Sequence, residues 1–160
     1  MFSSLELEQC RWKPVGSNGE TSVIFTTVLK GKQIIKKILK SENKEEFYNE
    51  TSCLQALQHS KHFPVLYHND PNKLVIYMSY CGKTMTPETR PKNWKEQIDT
   101  ILDTVYKANI VYSDIKPDHL RVHSDNTIRV IDFGRATVGP QRRYQDIHKF
   151  AQIADFVSNP

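Results

Sequence analysis

The pattern of apolar and polar positions in the first half of the chain predicts β-strands on either side of one helix. Ser22–Leu29 and Gln33–Leu39 are rich in β-branched residues, and the short polar turn between them predicts a hairpin. Apolar positions then recur at helical intervals after Ser41, which is a suitable N-cap. Two further strands are predicted around a turn signal at residues 69–72, namely Phe63–Tyr67 and Leu74–Tyr80.

The second half of the chain has a different pattern. Residues 84–93 are polar and contain two prolines, which predicts a connector. From Trp94 to Val105, apolar side chains share one face of a helix. Short apolar segments and a last helix follow, namely Ile110–Val111, Leu120–Val122, Ile128–Ile131 and Tyr144–Val157. The overall prediction is an α+β fold, with a small antiparallel sheet first and a mainly helical part after it.

Composition and charge limit the class of protein but do not indicate a particular reaction. A chain of 160 residues is long enough for one domain, and its formal net charge of +4 suits a polyanionic ligand. The three cysteines are widely spaced, which argues against a zinc cage or a disulfide framework and favours a reducing compartment. No secretory signal or long apolar run is present. We therefore expect a cytoplasmic protein without membrane contact, and no nucleic-acid contact is evident.

Two polar segments flank the hairpin predicted around Asp125–Asn126. The first reads YSDIKPDHL and the second reads VIDFG. They resemble the catalytic loop, HRDxKxxN, and the metal-binding DFG motif of the protein kinase superfamily, in the family's order. The resemblance implies that Asp114 accepts the proton of the acceptor hydroxyl, that Lys116 neutralises the transferring phosphoryl group, and that Asp132 binds Mg²⁺.

His119 occupies the place where the family has a second metal-binding residue, an asparagine. Imidazole can bind a metal but is softer than an amide oxygen, so Mn²⁺ is expected as an alternative to Mg²⁺. A role in bracing the loop by hydrogen bonding is equally open. The usual His-Arg before the catalytic aspartate is replaced by Tyr112-Ser113. Without that arginine, control by a phosphorylated activation loop is not expected.

Residues of the first half resemble the nucleotide-binding parts of the same family. The segment QIIKKIL resembles the strand VAIKxL, which implies that Lys36 contacts the ATP phosphates and that Ile34 lies near adenine, with Lys37 as the runner-up for the lysine. Glu50, on the following helix, is the implied partner of Lys36. The remaining implied contacts are Gly16 and Val23 from an altered glycine loop, and Met78, Tyr80 and Cys81 at the hinge.

The resemblance implies one minimal two-lobed kinase domain over residues 1–160. Its N-lobe covers about residues 10–80, its hinge about 79–84, and a reduced C-lobe about 85–160. Only Arg135–Gln145 separates DFG from the last helix, and no APE motif is present. Such a short activation segment resembles compact viral and bacterial effector kinases and the small kinase of the KEOPS complex. A viral or effector origin would place the protein in host cytoplasm.

The function expected from this resemblance is transfer of the ATP γ-phosphate by a minimal serine/threonine protein kinase. The expected cofactors are ATP with Mg²⁺ or Mn²⁺, and the expected partner is a protein substrate or regulator. Two alternatives stay open. The short activation segment favours a small-molecule kinase or an ATPase of the same fold, and the altered glycine loop with His119 favours a pseudokinase-type binding module.

Overall fold

A five-stranded antiparallel sheet forms the first part of the computed structural model, which describes residues 1–16, 21–112 and 116–139. The strands are ordered β1-β2-β3-β5-β4 across the sheet. The predicted hairpin of β2 and β3 is confirmed, with Thr26 opposite Ile35 in its register. The bounds are β1 (Lys13–Pro14), β2 (Ser22–Leu29), β3 (Lys32–Leu39), β4 (Leu66–Asp70) and β5 (Val75–Ser79).

A short helix that the sequence analysis did not predict covers the outer face of this sheet. In α1 (Ser4–Gln9), the Ser3 hydroxyl accepts from the Glu6 N–H at 3.1 Å, and the Glu6 carboxylate accepts from the Ser3 N–H at 3.2 Å. Leu7 is fully buried in a cluster on the sheet's outer face, together with Phe2. Packing on this face therefore begins upstream of residue 10.

The predicted helix after β3 is present but begins later than expected. Ser41–Asn43 form one 3₁₀ turn, and α2 (Lys44–Ala56) begins after it. Ser41 is not an N-cap, because its hydroxyl contacts the neighbouring Glu42 carboxylate at 3.3 Å rather than a helical N–H. Phe47 and Leu54 of α2 are buried in the larger hydrophobic core, on the side of the sheet away from α1.

The second part of the chain packs one amphipathic helix against short strands. The predicted helix is confirmed as α3 (Trp94–Lys107), which buries Trp94, Ile98, Ile101 and Val105 along one face. The other elements form a three-stranded sheet in the order β6-β8-β9 and an antiparallel pair of β7 and β10. They are β6 (Lys83–Thr84), β7 (Ile110–Val111), β8 (Leu120–Val122), β9 (Ile128–Val130) and β10 (Thr137–Val138). The α+β class is confirmed.

The predicted strand Phe63–Tyr67 was placed too early in the chain. The strand is β4, and Phe63 precedes it as a fully buried core residue. The following turn is also shifted, because the Asp70 carboxylate accepts from the Asn72 N–H at 3.0 Å and so closes the turn after the strand. The expected last helix, Tyr144–Val157, lies outside the described residues. Within the described ranges, no helix combines the length and apolar character that a bilayer span requires.

Candidate active site

A cleft of about 300 Å³ lies between the five-stranded sheet and the second part of the chain. One wall is apolar and comes from the sheet, and the opposite wall comes from β8 and the segments beside it. One end of the cleft borders the connection from β5 to β6, and the other end is charged. Its lining includes Val15, Ile24, Ile35, Met78, Tyr80, Cys81, Lys37, Glu50, His119, Arg121, Ile131 and Asp132.

Lys37 lies between two carboxylates at the charged end. Its Nζ is 2.7 Å from Glu50 Oε2 and 3.6 Å from Asp132 Oδ1. Burial lowers the pKa of Lys37, but the charges of Glu50 and Asp132 outweigh burial and raise it. Burial raises the pKa of Glu50, and the Asp132 charge adds to that effect against the opposing Lys37 charge. The ammonium group is therefore firmly held as a cation, pointing into the cleft.

The predicted pairing of Glu50 with Lys36 is wrong, and the runner-up Lys37 takes its place. Lys36 lies on the outer face of the sheet, opposite Phe25 and Tyr77 in register. Its Nζ is 5.4 Å from the Trp12 ring centroid, 6.0 Å from that of Phe25 and 5.9 Å from that of Tyr77. Because adjacent residues of a strand point to opposite faces, placing Lys37 in the cleft places Lys36 outside it.

The same alternation overturns two further predicted contacts. Ile34 is fully buried in the outer cluster, and its neighbour Ile35 lines the cleft instead. Val23 pairs in register with Ile38 on the outer face, and the residues of β2 that line the cleft are its neighbours Ser22 and Ile24. Gly16 has φ +62° and is exposed, but it is not among the residues that line the cleft.

The DFG segment holds Asp132 at the charged end of the cleft. Asp132 adopts a left-handed backbone conformation, φ +70°, and its side chain is 47% exposed. Burial raises the pKa of the Asp132 carboxyl, but the hydrogen bond from His119 and the charge of Lys37 outweigh it and hold the pKa below its usual range. The next residue, Phe133, is fully buried with its ring edge-on to Tyr112, 4.8 Å between centroids. This buried ring anchors the segment.

Helix α2 is tied to the same segment by hydrogen bonds. Asn49 Nδ2 donates to the Gly134 carbonyl at 3.1 Å. Burial raises the pKa of Glu50, and the Phe133 N–H, which donates to the Glu50 carboxylate, acts against that rise and lowers it. The helix, β3 and DFG therefore meet at Lys37, Glu50 and Asp132. All three groups therefore face one another at the same end of the cleft.

His119 braces Asp132 through a chain of hydrogen bonds. The Lys116 N–H donates to His119 Nδ1 at 3.2 Å, which leaves the ring proton on Nε2, 3.3 Å from Asp132 Oδ2. The Tyr112 hydroxyl lies 3.0 Å from the same Nδ1, and its one proton is donated to the backbone carbonyl oxygens of Ile131, at 2.8 Å, and Asp132, at 2.5 Å. In this arrangement Nε2 has no lone pair to offer a metal. The metal-ligand role of His119 stays a prediction, and the bracing role has direct geometric support.

The remaining predicted residues have mixed outcomes. Met78, Tyr80 and Cys81 line the cleft at its hinge end, as expected, and burial raises the pKa of the Cys81 thiol to about 11. Lys116 is exposed and its backbone supports His119. Asp114 lies outside the described residues. Across residues 1–16, 21–112 and 116–139, no three His, Cys, Asp or Glu side chains form a metal cluster of their own.

A model of the protein kinase domain matches residues 13–156 of the chain. The chain belongs to the protein kinase family. The match covers both the sheet and the segments that form the opposite wall of the cleft, so the family assignment rests on nearly the whole length. The recognised catalytic loop and DFG motif lie within it.

Individual relatives of this kinase domain are distant. A leaf rust 10 disease-resistance locus receptor-like protein kinase-like 1.3 of Arabidopsis thaliana is 23% identical over 88% of the chain and 24% of its own length. An Aurora kinase of Eremothecium gossypii is 23% identical over 66% and 32%. A maternal embryonic leucine zipper kinase of Xenopus tropicalis is 24% identical over 75% and 21%. The chain therefore spans a third or less of the length of these relatives.

The sequence contained a signal for Lys37 that favours it over Lys36. The family pattern VAIKxL places a leucine two residues after the lysine, and Lys37-Ile38-Leu39 meets that spacing, whereas two residues after Lys36 the chain has isoleucine. Arg121 was also missed, although it lines the cleft on β8. Its place on that strand next to the apolar Leu120 is the signal, because adjacent residues of a strand point to opposite faces.

Proposed function

We propose that this kinase domain binds ATP with a divalent metal in the cleft and transfers the γ-phosphate to a serine or threonine hydroxyl of a protein. The observation that supports this most strongly is the arrangement of Lys37 between Glu50 and Asp132. A structural ion pair would not require the lysine to line a cleft that a ligand can enter, as Lys37 does. A phosphate-binding role does require it.

The shape of the cleft supports a definite orientation of the nucleotide. A flat base suits the hinge end, where apolar Ile24, Ile35 and Met78 provide the wall and the backbone after β5 offers hydrogen-bonding groups. The triphosphate then extends toward the charged end. Lys37 binds the α- and β-phosphate oxygens, and Glu50 keeps its ammonium group in position.

The residues at the charged end also suit a divalent metal. Asp132 is ionised because its pKa is depressed, and its side chain is partly exposed to the cleft. A carboxylate of this kind is a good ligand for Mg²⁺ or Mn²⁺, and the metal supplies neutralisation of charge on the transferring phosphoryl group. The role of His119 is to orient Asp132 through its Nε2–H, so that one oxygen of the carboxylate is fixed.

The acceptor side of the reaction is assigned from sequence. Asp114 stands at the position of the catalytic aspartate and is proposed to orient the acceptor hydroxyl and take its proton. Lys116 is proposed to balance charge on the phosphoryl group as it moves. The preference for serine or threonine in a protein is the family's usual chemistry, and the shortness of the segment from Arg135 to Gln145 keeps a small-molecule acceptor as the alternative.

The test is incubation of the purified protein with γ-labelled ATP and either Mg²⁺ or Mn²⁺. Three acceptor sets are compared: the protein itself with mixed Ser/Thr peptides, a panel of small hydroxyl-bearing metabolites, and water. We expect label on serine or threonine, lost in Asp114→Asn while ATP affinity is retained. Label on metabolites alone would replace the protein-kinase assignment by a small-molecule kinase, and phosphate release alone would indicate an ATPase.

A second candidate function, nucleotide binding without transfer, is favoured by the state of His119. Its Nε2–H donates toward Asp132, so the residue that replaces the second metal-binding asparagine is engaged in a hydrogen bond. ATP binding measured by calorimetry, with no label transferred to any of the three acceptors under either metal, would support this candidate over phosphotransfer.

A further inference from the structure

Arg121 is a charged residue on the wall of the cleft that lies opposite the apolar sheet. It is the middle residue of β8, whose preceding residue Leu120 is fully buried in the core. Thr84 of β6 is its neighbour in register, so Arg121 lies directly beyond the hinge connection. It lines the cleft and contributes to the electrostatic environment of Cys81. Arg121 therefore lines the wall opposite the apolar sheet, close to the hinge end of the cleft.

The charge of Arg121 is not compensated by a carboxylate. Its Nε donates to the Asp118 carbonyl at 2.9 Å, and none of the ion pairs among the described residues includes it. Its neighbour across the strand is a second cation, Arg129, which itself pairs with Asp125 at 3.2 Å. Like charges directly opposite in a sheet are unfavourable. Fold stability therefore does not explain an arginine at this position.

We propose that Arg121 is a base-binding residue, whose guanidinium plane stacks on the purine ring of the bound nucleotide. The inference rests on the proposed nucleotide site and adds to it a residue that determines how the base is held. The base would be enclosed by Ile24 and Ile35 on one side and by the guanidinium group on the other. An arginine is suited to this because its planar group stacks on aromatic rings and carries its charge over the ring face.

The hydrogen bond from Arg121 Nε favours stacking on the base, because a stacked guanidinium group needs a fixed plane and a freely rotating one does not provide it. Donation to the Asp118 carbonyl fixes one edge of the guanidinium group and so limits rotation of its plane. The edge of the base is left to the backbone at the hinge, because a group stacked on the ring face does not compete for the ring's hydrogen-bonding atoms. A lysine would keep the charge but would lose both the plane and the Nε donor.

Calorimetric titration of adenosine and of Mg²⁺-ATP into the whole chain tests the proposal. The variant is Arg121→Lys, and the matched control is Arg11→Lys, which makes the same change at an exposed arginine that does not line the cleft. We expect Arg121→Lys to weaken both ligands by a similar factor, roughly three- to tenfold, since the lost contact is to the base that they share. The control should bind both ligands as the wild type does.

Three outcomes would overturn the proposal. ATP binding weakened with adenosine unchanged would show that Arg121 contacts phosphate and not the base. Equal affinities in wild type and Arg121→Lys would remove any role in binding. Ligand-free Arg121→Leu that is unfolded at the temperature of the titration would indicate a structural role, whereas a folded variant is expected, because the lost hydrogen bond to the Asp118 carbonyl is one exposed contact and a like-charge contact with Arg129 is removed with it. Wild-type protein that binds neither ligand would instead refute the nucleotide site itself.

Discussion

Lys36 and Lys37 are consecutive residues of one strand, yet the protein uses them in two different environments. Lys36 lies over three aromatic rings on the outer face of the sheet, where α1 and Trp12 complete the packing. Lys37 lies in the cleft between Glu50 and Asp132. Both side chains are ordered by specific contacts. Only the second has oppositely charged groups arranged around a space that a ligand can enter.

The comparison shows that the groups around a lysine decide whether it can bind a ligand, and that its place in a sequence motif does not decide this alone. The partners of the Lys36 ammonium group are neutral aromatic rings, and the group stays accessible on the outer face of the sheet. The partners of Lys37 raise its pKa, fix its direction and tie β3 to both α2 and DFG. If β3 were turned so that Lys36 faced the cleft and Lys37 the outer face, the proposed site would be lost although no residue had changed.

Substitution of Lys37 by methionine should have the largest effect. We expect phosphotransfer to fall by at least about a hundredfold, because the phosphates lose their positioned cation. The change also leaves Glu50 buried beside Asp132 without its partner, which costs on the order of 3–5 kcal/mol for a broken buried pair unless Glu50 takes up a proton. Activity with γ-labelled ATP and urea denaturation measure the two effects.

The matched control for this substitution is Lys36→Met on the adjacent residue. Its nucleotide affinity and phosphotransfer should equal those of the wild type. A loss of activity in Lys36→Met with retention in Lys37→Met would return the catalytic lysine to the position first predicted from sequence. It would also contradict the assignment of the cleft to the proposed nucleotide site.

Hydrophobic alternation alone does not separate the two lysines, and the leucine spacing of the family pattern is the sequence signal that does. In QIIKKIL, both alternating sets contain an isoleucine, a lysine and a further aliphatic residue, so hydrophobic alternation fits either face. Which face is inner depends on α1, whose six residues carry too short a periodic pattern to be detected. The outer face is apolar because Phe2 and Leu7 cover it, and that contact is remote in sequence.

Other parts were predictable because their signal is local. The hairpin of β2 and β3 follows from β-branched runs around a glycine turn, and α3 follows from a long amphipathic period. Glu50 and Asp132 were identified by motif and do face a lysine of β3. The bracing of Asp132 by His119 was not derivable, because it depends on which ring nitrogen accepts the Lys116 N–H. That is a property of the folded loop.

Tyr112→Phe should have the next largest effect, on the support of Asp132. The Tyr112 hydroxyl donates to the backbone carbonyls of Ile131 and Asp132 and lies beside His119 Nδ1, while its ring packs on Phe133. Phenylalanine keeps the ring and removes the hydroxyl, which should cost about 0.5–1.5 kcal/mol of unfolding free energy because partly buried carbonyl acceptors lose their donor. Urea denaturation measures it, with Tyr48→Phe as control on a tyrosine that is 47% exposed.

The same substitution distinguishes positioning from simple stability. If Tyr112 orients the loop through His119, Tyr112→Phe should lower turnover even at temperatures where the variant is fully folded, and leave affinity for adenosine unchanged. Wild-type turnover in a destabilised variant would show that the hydroxyl acts only on folding and not on the geometry of Asp132.

Asp132→Asn should reveal a pH-dependent contribution to stability. The depressed pKa means that the Asp132 carboxylate stabilises the fold above its unfolded value of about 3.9 and that this contribution is lost as pH falls from there toward the folded value. Because the side chain is half-exposed, the difference from wild type should not exceed about 1 kcal/mol. It should be present at pH 7 and should shrink at pH 3.

Urea denaturation of wild type and Asp132→Asn at both pH values measures this difference. Asp103→Asn serves as control, since Asp103 forms an exposed pair with Lys107 on α3. A destabilisation by Asp132→Asn that is equally large at pH 3 and pH 7 would show that Lys37 and His119 do not act through the ionised carboxylate. It would weaken the assignment of Asp132 as the charged ligand for metal.

The smallest effect is expected for the stability of Lys36→Met. This variant tests whether the charge of Lys36, and not only its stem, contributes to packing on the outer face. Methionine keeps an unbranched apolar stem but removes the charge over Trp12, Phe25 and Tyr77. Loss of the cation–π contacts should lower the free energy of unfolding by about 0.5–1 kcal/mol. Lys32→Met, on an exposed residue of the same strand, should change it less. Stability equal to wild type in Lys36→Met would mean that packing of the stem, and not its charge, holds Lys36 on the outer face.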